Sequence, residues 1–286
     1  MGGYDTVSFL SDYGHADEFV GVVHSVLRSI APHAAVIDVA HDIAPHDVRA
    51  GSLCLARAAQ YLCPGVALAI VDPGVGTERR AIAVEVGDGQ AVLVGPDNGL
   101  LAPAVSMVGG AGRAVSLTNT DFQLVAPGAT FAGRDVFAPA AAHLCNGVDL
   151  FELGDPVDPT SLLPGVLPVT VEDGDELICE VLWVDRYGNA QLNVDPDEVD
   201  GWGRRIQVVW DGGSRTAVRA EAYGELGNGE IGLLTDSYGL LAVSIARSSA
   251  AGLLGLDAGM QVRLRRLADG DADGGVTTAV ELGRRS

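Results

Sequence analysis

Lysine is missing from this 286-residue chain, and all 18 of its basic residues are arginine. Acidic residues number 38, so the formal net charge is −20. This charge disfavours nucleic acid and anionic membrane surfaces as partners, because both are themselves negatively charged. Apolar residues make up 48% of the chain and charged residues 20%. That composition is typical of a globular protein and excludes a disordered one.

Several signals of other protein classes are also missing. The chain has no run of about 18 apolar residues, so we expect no membrane span. Its first residues have neither the basic nor the apolar part of a signal peptide. No Walker or GxGxxG phosphate loop is present. The cysteines lack CxxC spacing, which predicts reduced thiols of a cytoplasmic protein and no metal site among them; they are Cys54, Cys63, Cys145 and Cys179.

The first half of the chain alternates strand and helix patterns. Apolar runs predict strands at 6–10, 35–39 and 66–71, and a hairpin is predicted from 81–86 and 91–94. Apolar residues at helical spacing predict helices over 19–30 and about 48–61, with Asp17 and Asp47 as their N-caps. A further helix is expected to follow 133–135 and to end near 144. Residues 1–152 are therefore predicted to form an α/β domain with a largely parallel sheet.

The pattern changes after residue 152. The segment 153–168 contains four prolines and no helical period, so we interpret it as a linker. Short strand patterns separated by turn residues then continue to residue 268. They predict an all-β, barrel-like C-terminal domain over 169–268. The last residues, 269–286, are rich in Asp and Gly and are expected to form a mobile tail.

Polar residues follow the predicted strands of the first domain. Asp12, His41 and Asp72 each lie just after a strand, as do Asp97 and Asn98. Because the carboxyl ends of parallel strands meet at one edge of a sheet, we expect these side chains to share a crevice.

The residue types alone leave three interpretations open. Asp and His are the ligands of a divalent-metal hydrolase. A carboxylate can instead hold the two hydroxyls of a ribose. Each Asp can also simply cap a helix or turn. For Asp17 and Asp47 capping is the better interpretation, whereas function is favoured for Asp12 and Asp72 because they end apolar strands.

Four segments carry a resemblance to a known family. They are 72–80, 95–99, 187–189 and 130–139, the last of which begins Thr130-Phe131-Ala132-Gly133-Arg134-Asp135. Taken in chain order, they resemble the S-adenosylmethionine (SAM) hydroxide adenosyltransferases, relatives of the SAM-dependent fluorinase and chlorinase. The match covers nearly the whole chain, and several motifs in series make it specific.

The resemblance implies an activity and an assembly. The reaction is hydrolysis of SAM to adenosine and L-methionine by water or hydroxide attack at the ribose C5′. SAM is the substrate, so neither a separate cofactor nor a metal is expected. The family assembles as a homotrimer and binds SAM between the N-terminal domain of one subunit and the C-terminal domain of its neighbour.

The resemblance also assigns roles to residues. Asp72 and Arg79 match two of the three residues with which the family activates water. Asp12 matches the aspartate that holds the ribose hydroxyls, and Asn189 and Asp211 match residues that hold the methionine part. The other expected substrate-binding residues are Asp17, His46, Asn98, Phe131, Gly133, Ser237 and Arg247.

The third water-activating residue does not match. Ala132 stands where the family has His, and a methyl group can neither accept a proton nor orient a water molecule. We therefore expect impaired hydrolysis. A halide adenosyltransferase remains an alternative, since Gly133 leaves room for chloride, although the carboxylate of Asp72 would repel an anion. A non-catalytic binder of SAM or adenosine is a second alternative.

Overall fold

A computed structural model describes residues 3–267 of the chain. The chain divides between Leu167 and Pro168 into two compact units. The tail predicted over 269–286 lies outside the described residues. Among the described residues, no helix has both the length and the apolar character needed to cross a membrane.

The first unit is built on a seven-stranded sheet. Its strands are β1 (Thr6–Ser11), β2 (Ala35–Ala40), β3 (Gly65–Ile70), β4 (Ala81–Val86), β5 (Ala91–Pro96), β6 (Ala111–Ser116) and β7 (Asp155–Pro156). They lie in the order β2-β1-β3-β5-β4-β6-β7. The first four strands of that order are mutually parallel, while β4, β6 and β7 pair antiparallel. The predicted α/β class and the β4–β5 hairpin are confirmed; β7 belongs to the segment predicted as a linker.

Four helices accompany this sheet: α1 (Phe19–Ile30), α2 (Val48–Ala59), α3 (Ala102–Met107) and α4 (Ala138–Cys145). The side chain of Asp47 accepts a hydrogen bond from the backbone N–H of Ala50, so its predicted capping role is confirmed. The same prediction for Asp17 is wrong. The N-cap of α1 is Glu18, which makes no capping bond through its side chain, and Asp17 lies one residue too early to reach the helix.

The parallel strands carry the core of the first unit. Strand β3 is buried along its whole length, as expected of a central strand covered on both faces. Phe9 of β1, Leu68 of β3 and the alanine-rich helix α4 belong to one cluster of buried side chains. A π-helical turn, Gly133–Phe137, leads into α4. Burial on both faces holds the parallel strands in place. The loops that follow these strands therefore begin from rigid points.

The second unit is a closed β-barrel. Its strands are β8 (Val171–Asp173), β9 (Glu176–Val184), β10 (Ala190–Leu192), β11 (Arg205–Trp210), β12 (Gly213–Ala220), β13 (Ile231–Thr235), β14 (Leu241–Ile245) and β15 (Gln261–Arg266). They pair in the order β10-β14-β13-β12-β11-β15-β9-β8, and pairing of β10 with β9 closes a ring of seven strands. The helix α5 (Ala250–Leu254) follows β14. The predicted barrel-like fold is confirmed.

Candidate active site

A buried ion pair lies at the carboxyl end of the central strand β3. Arg79 Nε donates to Asp72 Oδ1 at 3.0 Å, and Arg79 Nη2 donates to Asp72 Oδ2. The side chains are 6% exposed for Asp72 and 12% for Arg79. The Arg79 guanidinium also lies 5.3 Å from the ring centre of Phe137. A two-point contact of this kind fixes the orientation of the carboxylate as well as its charge.

Asp12 and His46 meet at the neighbouring strand end. Asp12 follows β1, and its Oδ2 accepts a hydrogen bond of 2.9 Å from the backbone N–H of His46. His46 has a φ of +69°, a left-handed conformation that is uncommon for a residue other than glycine. Such conformations persist where the surroundings hold them and are concentrated at functional sites.

Tyr13 links these strand ends to the turn at 131–133. A Cβ atom placed on Gly133 would lie 2.2 Å from Tyr13 Oη, so the phenol rests directly on the glycine backbone. The Tyr13 ring contacts Phe19 and Phe131, with ring centres 5.5 and 5.6 Å away. Burial raises the pKa of Tyr13 above its ordinary value, and the charges of Asp12 and Asp72 raise it further. The phenol therefore stays neutral at physiological pH, within the field of both carboxylates.

Position 132, where the resemblance leads us to expect a histidine, borders a cavity. Ala132 is half-buried and lines a cavity of about 580 Å³ together with Arg79 and Asp135. Asp135 is buried and accepts hydrogen bonds from Arg134, at 2.6 Å from Nε and 3.0 Å from Nη2. The structure thus brings position 132, Arg79 and Asp135 to the lining of one cavity.

Two other predicted residues of this unit have different surroundings. The Asn98 amide donates to the carbonyl of Val71 at 2.9 Å and accepts from the backbone N–H of Leu100 at 3.1 Å. It therefore braces the end of β3 from the adjacent loop. Asp17 is exposed on the segment before α1. The structure thus places Asn98 beside the strand that carries Asp72 and leaves Asp17 on the surface.

In the barrel, the directions of the strands place the four predicted residues at two different ends. Asn189 precedes β10, Asp211 follows β11 and Arg247 follows β14; the pairing register brings these three strand ends to one end of the barrel. Ser237 follows β13 and therefore lies at the opposite end. Arg247 has a φ of +60°. Three of the four residues thus share one rim of this unit.

Three residues at or beside these positions were not singled out from the sequence. They are Tyr13, Asp135 and Asp185; Asp185 accepts a 2.7 Å hydrogen bond from the Asn189 amide. Asp135 carries a usable signal, because it lies inside the 130–139 motif. Tyr13 has none, since its contact with Gly133 joins positions 120 residues apart and depends on the tertiary fold.

Two family models match the chain in succession. The SAM hydroxide adenosyltransferase N-terminal domain matches residues 7–154, and the C-terminal domain of the same family matches residues 179–263. The chain belongs to the SAM hydroxide adenosyltransferase family. The resemblance carried by its motifs is therefore confirmed.

Several curated relatives and a solved structure are similar to the chain over most of its length. A protein of Salinispora tropica named (R)-S-adenosyl-L-methionine hydrolase is 44% identical over 258 residues, which cover 90% of this chain and 97% of the relative. A protein of the same name from Thermus thermophilus is 43% identical, covering 90% and 98%. A fluorinase of Actinopolyspora mzabensis is 25% identical, covering 91% and 97%. The crystal structure of a conserved Thermotoga maritima protein gives a TM-score of 0.84 at 32% identity, covering 91% of this chain and all of that one.

Proposed function

We propose that this member of the family hydrolyses SAM to adenosine and L-methionine. The observation that carries the proposal is the buried, two-point pair of Asp72 and Arg79 at the end of β3. Relatives at 43–44% identity are named (R)-S-adenosyl-L-methionine hydrolase, which supports the proposal. Because the name specifies the configuration of SAM, the assay should compare its two sulfonium epimers. SAM is the substrate of this reaction, so the proposal includes no metal or separate cofactor.

The reaction is a displacement at the ribose C5′. A water oxygen forms a bond to C5′ while the C5′–S bond breaks, and its electron pair passes to sulfur. The sulfonium becomes the neutral thioether of methionine, so the leaving group needs no acid. One proton leaves the water and passes through its hydrogen-bonded acceptor to solvent. Asp72 supplies that acceptor, and Arg79 holds the carboxylate in place and stabilises developing negative charge.

Substrate binding is assigned to groups of both units. In the first unit, Asp12 would hold the ribose hydroxyls, with Phe131 and Gly133 close to the reacting carbon. In the second unit, Asn189, Asp211 and Arg247 would hold the methionine part, and their place on one rim of the barrel supports this. Ser237, which the resemblance also suggests, lies at the other end of the barrel and is not included in this proposal. A homotrimer whose site lies between subunits completes the proposal and is tested by light scattering after gel filtration.

The alanine at position 132 bears on the rate. Losing one acid–base partner costs about 10²–10⁴-fold in turnover, so we expect slow hydrolysis. Halide transfer is less well supported. Asp72 places a carboxylate where the nucleophile approaches, and it would repel chloride or fluoride.

The test is product analysis after prolonged incubation of the protein with each SAM epimer, with and without chloride. Adenosine and methionine in equal amounts, independent of chloride and of a chelator, is the expected result. Asp72→Asn should abolish product above the background of SAM breakdown. A 5′-chlorinated nucleoside would instead assign the chain to the halide branch. Bound SAM without any product would show that the site is a binding site only.

A further inference from the structure

Away from the Asp72–Arg79 pair, a second group of chemically active side chains converges beside strand β2. His24 of α1, Asp38 of β2 and His41 just after β2 bring one ligand atom each to within 4.8 Å of one another. His24 Nε2 lies 2.7 Å from Asp38 Oδ1, and His41 Nε2 lies 2.9 Å from the same oxygen. The proposed SAM chemistry uses none of these three side chains.

We propose that His24, Asp38 and His41 form a binding site for a divalent transition-metal ion, with Zn²⁺ as the first candidate. Two imidazoles and one carboxylate are ligands that suit zinc and its neighbours rather than Mg²⁺ or Ca²⁺. In a tetrahedral zinc site with bonds of about 2.0–2.1 Å, neighbouring ligand atoms lie roughly 3.3 Å apart. Each imidazole nitrogen would move away from Asp38 Oδ1 by a few tenths of an ångström. The two nitrogens, which lie within 4.8 Å of each other, would come to the same spacing.

The surroundings of His41 support a ligand role. Its Nδ1 is 2.7 Å from the hydroxyl of Ser11, which is fully buried. An outer partner of this kind sets the tautomer and orientation of metal-binding imidazoles. The His41 ring also packs edge-on against Phe9, with ring centres 4.5 Å apart. The Nε2 atom of His41 is therefore held in place before any ion arrives.

Exposure of the other two ligands gives the ion a route to the site. The His24 side chain is 34% exposed and that of Asp38 is 45% exposed, against 1% for His41. Three protein ligands leave a coordination position for water, as in zinc sites that are not purely structural. The site is thus rigid on its buried side and open on the other.

The same three residues could serve only to hold the fold together through their hydrogen bonds. One substitution distinguishes this structural role from metal binding. The amide of His24→Gln can still donate to Asp38 but is a poor ligand for zinc. We expect the variant to keep the thermal stability of the metal-free protein. Its Zn²⁺ affinity should fall by more than about 10–100-fold, because that is the loss when only a residue supporting a metal ligand is changed. His33→Ala removes another exposed imidazole and should bind as the unchanged chain does.

The measurement is calorimetric titration with Zn²⁺ in excess Mg²⁺, which saturates weak sites on the many surface carboxylates. Binding of one Zn²⁺ ion per chain is the expected result. Absence of one-to-one binding would overturn the proposal, and so would equal affinity in His24→Gln. The readout is binding, so the outcome is independent of SAM hydrolysis.

A separate observation concerns the neighbourhood of position 132. The hydroxyl of Tyr13 rests on the backbone of Gly133, immediately after the alanine. Its ring packs against those of Phe19 and Phe131. We infer that the Tyr13 hydroxyl orients the attacking water in this chain, in place of the imidazole that the family has at position 132. This inference rests on the proposed hydrolysis.

The role fits the chemistry of a neutral phenol. It can accept a hydrogen bond from water and donate one in turn, which aligns the water without removing its proton. That proton passes to Asp72 and then to solvent, as in the proposed reaction. The phenol orients the water but does not act as a base, so it replaces only part of what a histidine does.

A double-mutant cycle tests the inference. Tyr13→Phe should lower kcat at least tenfold in the chain as it stands and much less in the Ala132→His background, with little change in KM. Tyr4→Phe is the matched control, because the Tyr4 hydroxyl bonds to the carbonyl of Gly89 instead. Equal effects of Tyr13→Phe in both backgrounds would overturn the inference. If the unchanged chain released no adenosine at all, the proposed hydrolysis would be wrong, and the inference about Tyr13 would be overturned with it.

Discussion

Replacing Ala132 with histidine is the most direct test of how this site activates water. Ala132 has φ −58° and ψ −26°, a helical conformation that histidine adopts without strain. Ala132 lines a cavity of about 580 Å³ that Arg79 and Asp135 also line, so an imidazole has both space and polar neighbours. A missing acid–base partner is worth about 10²–10⁴-fold, which corresponds to about 2.7–5.4 kcal/mol of activation free energy. If Tyr13 already orients the water, the increase in kcat on Ala132→His should be close to the lower limit of this range, about 10²-fold.

The assay is initial-rate chromatography of adenosine for the unchanged chain and for Ala132→His. A bell-shaped or sigmoidal dependence of kcat on pH near the ordinary pKa of histidine, about 6.5, should appear only in the variant. Ala129→His is the matched control, because Ala129 lines the same cavity without occupying the motif position. If Ala132→His were no faster than the unchanged chain, or if Ala129→His gained as much, the role given to position 132 would be wrong.

Three further predictions concern particular contacts. Asp97→Ala should destabilise the fold by about 1–3 kcal/mol in urea unfolding, because a buried carboxylate with an arginine partner and a backbone N–H partner is removed. Gly133→Ala should cost about 1–3 kcal/mol and suppress hydrolysis, since its Cβ would overlap the Tyr13 hydroxyl. Arg247→Ala should raise KM for SAM, whereas Ser237→Ala, at the other end of the barrel, should leave it unchanged.

The glycine prediction has its own control in the same unit. Gly21 lies within α1, and nothing stands within 4 Å of a Cβ placed there. Gly21→Ala should therefore stabilise the protein by about 0.5–1 kcal/mol, because alanine is the better helix former. A loss of stability at Gly21→Ala, or none at Gly133→Ala, would contradict the packing argument. For the barrel, equal KM changes at positions 237 and 247 would contradict the division between its two ends.

Much of the first unit was predictable because its signals are local. An uninterrupted apolar run marks β3, which is buried along its length, and the helical spacing of apolar residues marks α1. Capping was less predictable. Asp47 sits at the residue from which its carboxylate reaches the first turn, whereas Asp17 misses that position by one residue. Such a shift is invisible to a pattern whose boundaries are uncertain by one or two residues.

The shortest strands of the barrel were not predicted from the sequence, for a related reason. Strand β10 has only three residues and β8 has three, too few for an alternating pattern to stand out. Yet β10 closes the barrel by pairing with both β9 and β14. Tertiary hydrogen bonding, which no local pattern encodes, therefore decides whether this segment becomes a strand.

The same distinction applies to the site. Asp72 and Arg79 are seven positions apart, so one loop of the chain joins them and the motif alone points to their pairing. Tyr13 and Gly133 meet only because β1 and the turn before α4 are folded onto one core. Ser237 and Arg247 are close in sequence, but the antiparallel strand β14 between them carries them to opposite ends of the barrel. Sequence motifs therefore identify the chemistry of such a site, whereas strand direction determines which of its residues can act on the same part of a substrate.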